Sequence, residues 1–472
     1  MVPLDADTLP RLLPQCSANP EASATLEKVN ARVRDLFVSG QLEKFAVTIT
    51  EYGFGPLLTV PVIVMWASHL PECFNDLSTP IILRRYNISL GSKGWASAPT
   101  SSNIPPAPPL PPPTPPLAAP RSLRRVKLPE PGGTTVRDRA LSDLYRGATN
   151  SAEKSKRLHF FTNLPAPVGG TPGVPLLGHG SSISSTQGEE RGSLGVFLAP
   201  CSSPMDCYFL STRHVFSKPP GSPVQTPSHL DTLRKLANIV CGSYTTARQE
   251  TECDLVQQQV ESNVATFMWG SIGVDRSDEG WRKDWALCHV GNHVKPGFAG
   301  VNGGFTEEHF CNMLHALELD YDFGIEYGMG VAKAKAGSTV FKVGATTSTT
   351  RGIVNKEPVY YYQTGTADPK DPKDSIPYDC TKLCLILRHF SSDPPFCARG
   401  DTGAGVFACS KEGRLSWVGL LVGIEGMEDP ETSSLVRPSE FGFMIPQDIV
   451  LSQIEEETGI KWGLYDAPVE VW

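Results

Sequence analysis

The sequence predicts a mainly β protein, preceded by a small α/β segment and a proline-rich linker. Three observations carry this expectation. The second half holds a series of short apolar or alternating runs of strand length, separated by Gly- and Pro-containing turns. Residues 1–90 hold one helical pattern followed by strand patterns. Between the two lies Pro105 to Pro120, with ten prolines in sixteen residues, which cannot build a core.

Taken in order, Leu26, Val29, Val33 and Leu36 fall at three- and four-residue steps, and Gly40 suits a stop, so residues 21–40 are expected to form an amphipathic helix. Lys44 to Tyr52 alternates Phe45, Val47 and Ile49 against polar residues, as a half-buried strand does. The uncharged run from Gly55 is too short and too interrupted at Pro61 to span a membrane, so a buried strand is expected. Residues 91–133 form the linker and 134–191 a helix followed by a Gly-, Pro- and Ser-rich connection, with the helix at Val136 to Ala148. The main domain is expected over 192–472. Inside it, Glu252 to Met268 reads as a helix through Leu255, Val260, Val264 and Phe267, and Glu307 to Leu319 as another. Strands are expected at Val340–Val343, Pro358–Gln363, Lys382–His389, Gly405–Cys409, Leu415–Ile424 and Phe441–Ile445, then a final helix at Gln447–Glu457.

Composition narrows the function classes. The chain has 472 residues, more than one ordinary domain, and 40% hydrophobic residues, enough for a sizeable core. Lys+Arg is 42 against Asp+Glu 50, a net charge of −8, which argues against nucleic acid as a partner. The N-terminal stretch has early acids and prolines and no basic-then-apolar leader. An intracellular, cytoplasmic protein without a signal peptide is therefore expected, with its twelve cysteines as free thiols. Cys288, Cys384 and Cys409 lie in apolar runs, as buried cysteines do. Cys380 and Cys384 lack a second ligand pair, so no metal site and no cofactor are expected. The proline run followed by Arg121 fits a ligand for an SH3- or WW-type domain, or a semi-rigid spacer.

Three motifs carry chemistry. FCARGDTGAGVF, Phe396 to Phe407, contains a Gly-Asp-x-Gly turn with threonine at x. CYFLSTRHVF, Cys207 to Phe216, is an apolar run ending in Thr-Arg-His-Val, and RKDWALCHV, Arg282 to Val290, holds Asp-x-Ala-Leu. VFKVGATTSTTRGIVN, Val340 to Asn355, adds a K-x-G-x-T-T pattern. Together these resemble the trypsin/chymotrypsin-like serine peptidases, in particular an intracellular fungal-type member with threonine in the nucleophile position. The order His214, Asp284, Thr402 is that family's His, Asp, nucleophile order.

The resemblance implies a double β-barrel domain with its site in the cleft. It implies His214 as general base, Asp284 as the group orienting it, Thr402 as nucleophile, and the amides of Gly400 and Thr402 as the oxyanion hole. It places Phe396 at the base of the specificity pocket and Val418, Leu420, Val422 and Gly423 along its wall, a pocket for small or apolar side chains. Asp401 has no free N-terminal amine to pair with, and Arg399 offers a charge by adjacency. His289 reads as packing or surface. The threonine leaves two readings open. One is a serine-type endopeptidase acting on peptide or protein substrates. The other is an inactive pseudopeptidase kept as a binding or scaffold domain, because a β-branched nucleophile must place an extra methyl in a turn shaped for serine.

Overall fold

The N-terminal apolar stripe folds as the helix Pro20–Val38 in the computed structural model, which describes residues 11–15, 19–53, 59–67, 70–85, 88–89, 176–186, 190–229, 231–232, 263–275, 280–291, 295–296, 329–364, 378–389, 393–409, 415–425 and 439–465. Outside these lie Pro105–Pro120 and the rest of 91–133, the helices expected at Val136–Ala148 and Glu307–Leu319, His293, and residues 252–262. Asn19 caps the first helix, its side chain accepting from the Ala22 amide at 3.0 Å. Leu26, Val29, Val33 and Phe37 are buried, and each such side chain contributes about 1.5–3 kcal/mol.

They pack on Phe45, Val47 and Ile49 of the strand Lys44–Gly53. This strand is buried on both faces rather than one. Its other face sends Ala46 into the main core, and Thr48 donates to the carbonyls of Glu357 and Pro358. The apolar run after Gly55 forms the neighbouring strand Thr59–Ala67, and Ile81–Arg85 adds to it in parallel.

The strand Lys44–Gly53 pairs antiparallel with Val359–Thr364, so the N-terminal strands and the last third of the chain share one sheet. Within that sheet the pairings return on themselves. Leu415–Glu425 pairs Gly405–Cys409, which pairs Thr339–Gly344, then Ser348–Val354, then Tyr378–Arg388. Phe441–Pro446 pairs both Tyr378–Arg388 and Leu415–Glu425 and completes the ring. Phe396, Val340, Ile386, Val418 and Met444 belong to one buried apolar cluster contributed by these strands and the turn before Gly405–Cys409.

A second sheet of eight strands runs Trp462–Leu464, Phe197–Pro200, Tyr208–Ser211, Arg282–Val290, Asn263–Val274, Pro223–Gln225, Ser182–Ser185 and Gly192–Ser193. The Gly195 amide donates to Leu210 O at 2.8 Å, tying the last strand's continuation back to Tyr208–Ser211.

The helix expected over Glu252–Met268 is corrected where it is described. From Asn263 the chain is strand, paired with Arg282–Val290. The run VATFMW is rich in β-branched and aromatic residues, and pairing with a neighbouring strand overrides a short helical spacing. The final helix is Gln447–Thr458, ended by Gly459 at φ +68°. It packs on Leu415–Glu425 of the first sheet and reaches the second, with Gln453 donating to Arg282 O at 3.2 Å and Lys283 to Glu457 at 3.2 Å.

Candidate active site

His214 lies in the single turn Arg213–Val215, directly after the strand Tyr208–Ser211. The turn is held from both sides. The Arg213 guanidinium lies 5.0 Å over the Phe267 ring, and Phe267 stacks on Phe216 at 5.2 Å. Asp284 is wholly buried on the strand Arg282–Val290. Its Oδ1 accepts from the His214 amide at 3.2 Å, and its Oδ2 lies 2.8 Å from His214 Nδ1. A carboxylate only accepts, so Nδ1 carries the proton and Nε2 is left as an acceptor. Thr402 Oγ1 lies 3.1 Å from that Nε2. The three side chains thus form one hydrogen-bonded chain.

Burial alone would push the Asp284 carboxyl up. The His214 ring, its hydrogen bonds and the Arg282 guanidinium reverse this and hold it below the ordinary carboxylate range. Arg282 is fully buried, with Nη2 3.3 Å from Asp284 Oδ2. No motif in the sequence marks it.

The turn that carries Thr402 needs its two glycines. Gly400 and Gly403 have φ +101° and +93°. A Cβ on Gly403 would also stand 2.3 Å from Ser211 Oγ and 2.4 Å from Ser193 O. Ser193 splints the turn, its amide donating to Thr402 O at 2.8 Å and its hydroxyl to Gly400 O at 2.9 Å. Among the described residues, the amides of Gly400 and Thr402 donate to no protein acceptor.

Asp401 points the other way and is fully buried. Its carboxylate accepts from the amides of Ala398 and Thr346 at 2.8 Å, from the Thr347 amide at 3.2 Å and from Thr347 Oγ1 at 2.7 Å, and pairs with Lys342 Nζ at 3.1 Å. Burial would raise this carboxyl, but the Lys342 charge and these hydrogen bonds keep it below its ordinary value. Gly344 is required beside it, since a Cβ there would meet Asp401 Oδ1 at 2.3 Å. The K-x-G-x-T-T pattern of Lys342, Gly344, Thr346 and Thr347 is therefore the cradle of Asp401. The cation missing for Asp401 in the sequence is an internal lysine.

The other anticipated residues fall less neatly together. Phe396 and Val418 meet in one buried cluster, with the Phe396 ring 5.7 Å from Lys342 Nζ. Leu420 and Val422 belong to a different cluster, because the strand bulges at Val418, where Phe407 faces Trp417 and Val406 faces Gly419, and the bulge breaks the alternation. Arg399 is largely exposed, 3.9 Å from Glu190, and its carbonyl accepts from Thr346 Oγ1 at 2.8 Å. His289 packs edge-on against Tyr208 at 4.9 Å, and burial pushes its imidazole below the ordinary value. Cys288 and Cys397 are buried free thiols, and burial pushes the Cys384 thiol up to about 12.

No protein-family model and no curated protein matches this chain. Solved serine proteases resemble it in structure over 61% of its length. They include Protease A of Thermobifida fusca, at 13% identity over 100% of that chain with a TM-score of 0.30. Cellulomonas bogoriensis chymotrypsin matches at 15% identity over 100% of its chain, and Nocardiopsis protease at 13% over 99%, each with a TM-score of 0.30.

Proposed function

We propose that this chain is a trypsin-like serine-type peptidase of two β-barrels that uses the Thr402 hydroxyl as its nucleophile. The observation that carries the reading is the hydrogen-bonded chain from Asp284 through His214 to Thr402, at 2.8 and 3.1 Å. In this reading His214 Nε2 takes the Thr402 proton as Oγ1 attacks a peptide carbonyl carbon. The developing oxyanion meets the free amides of Gly400 and Thr402. The proton then passes from His214 to the leaving amine, the C–N bond breaks, and water hydrolyses the threonyl ester with His214 again as base. Asp284 stays ionised throughout and steadies the imidazolium, consistent with its lowered carboxyl.

A fluorophosphonate probe tests this. The expected result is an adduct located on Thr402 by mass spectrometry and absent from His214→Ala. No adduct on the wild type or on Thr402→Ser would overturn it. The Thr402 methyl favours a second reading, in which the same cleft binds peptides without cutting them. Peptide affinity without turnover in both forms would support that one.

A further inference from the structure

The strand Leu415–Glu425 has two edges, and their occupants change along its length. One edge carries Phe441–Pro446, paired from Gly419 to Ile424. The other carries Gly405–Cys409 as far as Leu420, and then the threonine turn itself. There the Gly403 amide donates to Leu421 O at 2.7 Å, and the Leu421 amide to Ala404 O at 2.9 Å. Beyond Leu421 this second edge is open to a further strand. It is filled by Ile88–Ser89, antiparallel, with Ser89 opposite Ile424 and Ile88 opposite Glu425. Since Gly442 already faces Ile424 on the first edge, the short strand must lie on the edge that leads to Thr402.

Two features make this more than a chance crossing. The first is direction. Strand 88–89 runs antiparallel to 424–425 and so points its C-terminal end at the threonine turn, about 10 Å away at about 3.3 Å per residue. A peptide lying on this edge with the same polarity would carry its C-terminal side towards Thr402. The second is an independent fastening. Arg84 grips the Glu425 carboxylate at 2.5 and 3.0 Å, and Trp66 Nε1 donates to it at 2.8 Å. The Arg84 guanidinium also lies 4.7 Å over the Phe441 ring. Glu425 is 7% exposed, so this ion pair is largely shielded from water.

We infer that Ile88–Ser89, latched by Arg84 on Glu425, is a displaceable plug that this chain lays on the edge at residues 422–425, where an extended peptide would lie in the proposed reading. An extended peptide from outside competes with the segment for that edge. The inference rests on the peptidase or peptide-binding reading only for what the edge would otherwise hold.

The test uses the full chain and does not depend on hydrolysis. Amide exchange over 421–425 is compared in the wild type, Ser89→Pro and Arg84→Gln. Slow exchange in the wild type and at least about tenfold faster exchange in both variants is expected. A fluorescein-labelled peptide YNISL, the sequence of residues 86–90, is then titrated by anisotropy. At least about tenfold tighter binding to the variants than to the wild type is expected. Fast exchange over 421–425 in the wild type would overturn the inference without any variant, and equal peptide affinity in all three folded proteins would overturn it as well. Probe labelling at Thr402 is scored separately, so a dead site and an empty edge give different results.

Discussion

Lys342 Nζ lies 3.1 Å from Asp401 Oδ2 with both side chains wholly buried, and this pair fixes the residue next to Thr402 from behind. A buried carboxylate left without its cation is costly. Lys342→Met should therefore destabilise the fold by about 3–5 kcal/mol. Lys342→Met combined with Asp401→Asn should recover part of that loss. Urea unfolding of the single and double variants measures both. A Lys342→Met protein as stable as the wild type would remove the pair from any structural role.

The same carboxylate sets an acid limit. Asp401 and Asp284 both lie below their ordinary value of 3.8 in the fold. A lowered carboxyl adds stability that is complete above the unfolded value and is lost as pH falls through the folded one. Urea midpoints should hold level down to about pH 4 as far as these two groups are concerned, and fall below it. Asp401→Asn should start lower at neutral pH and lose less on acidification.

Thr402→Ser should raise hydrolysis of an activated ester or peptide at least about tenfold, which needs only ~1.4 kcal/mol of transition-state stabilisation. In the proposed reading the base, its orienting carboxylate and two free amides are already in reach, which leaves the methyl as the local obstacle. His214→Ala in the same background should abolish the gain. Steady-state kinetics on a broad peptide library decides it, and an inert Thr402→Ser would assign the defect to the cleft.

Gly403→Ala should disable the turn. The left-handed backbone alone costs about 1–2 kcal/mol, and the added Cβ would collide with Ser211 Oγ and Ser193 O. Thermal unfolding should shift downward and probe labelling should vanish even where the protein remains folded. Gly221→Ala, at φ +89° with nothing within 4 Å of its Cβ, is the control that carries strain without a clash.

Local chemistry made His214, Asp284 and Thr402 readable in the sequence, because each sits in a short motif on its own strand or turn. Lys342 was visible as part of a pattern but not as a partner, since it and Asp401 meet only once the strand Thr339–Gly344 pairs with the distant Gly405–Cys409. Arg282 stood two residues from Asp284 and gave no signal, because a lone arginine at a strand start is usually exposed. The misread stretch after Glu252 shows the limit of periodicity: Val264 and Phe267 suit a helix by spacing, while their pairing partner begins at Arg282. The pocket residues came from the resemblance alone, and the bulge at Val418, which puts it in a different cluster from Leu420 and Val422, has no signal in the sequence. The pairing of Ile88–Ser89 with Ile424–Glu425 has no local signature at all.

The shared sheet also imposes a timetable. Strands Lys44–Gly53 and Thr59–Ala67 emerge early, but the neighbour of Lys44–Gly53, Val359–Thr364, is made about 300 residues later. At roughly 5–20 residues per second that is a delay of about 15–60 s. Throughout it, Thr59–Ala67 and Ile81–Arg85 cover one side of Lys44–Gly53, while the edge that Val359–Thr364 will take, along Lys44 to Val47, stands open. The newborn chain must therefore shelter a ready-made aggregation edge until its own distant half arrives, which makes it a natural client for a chaperone during synthesis.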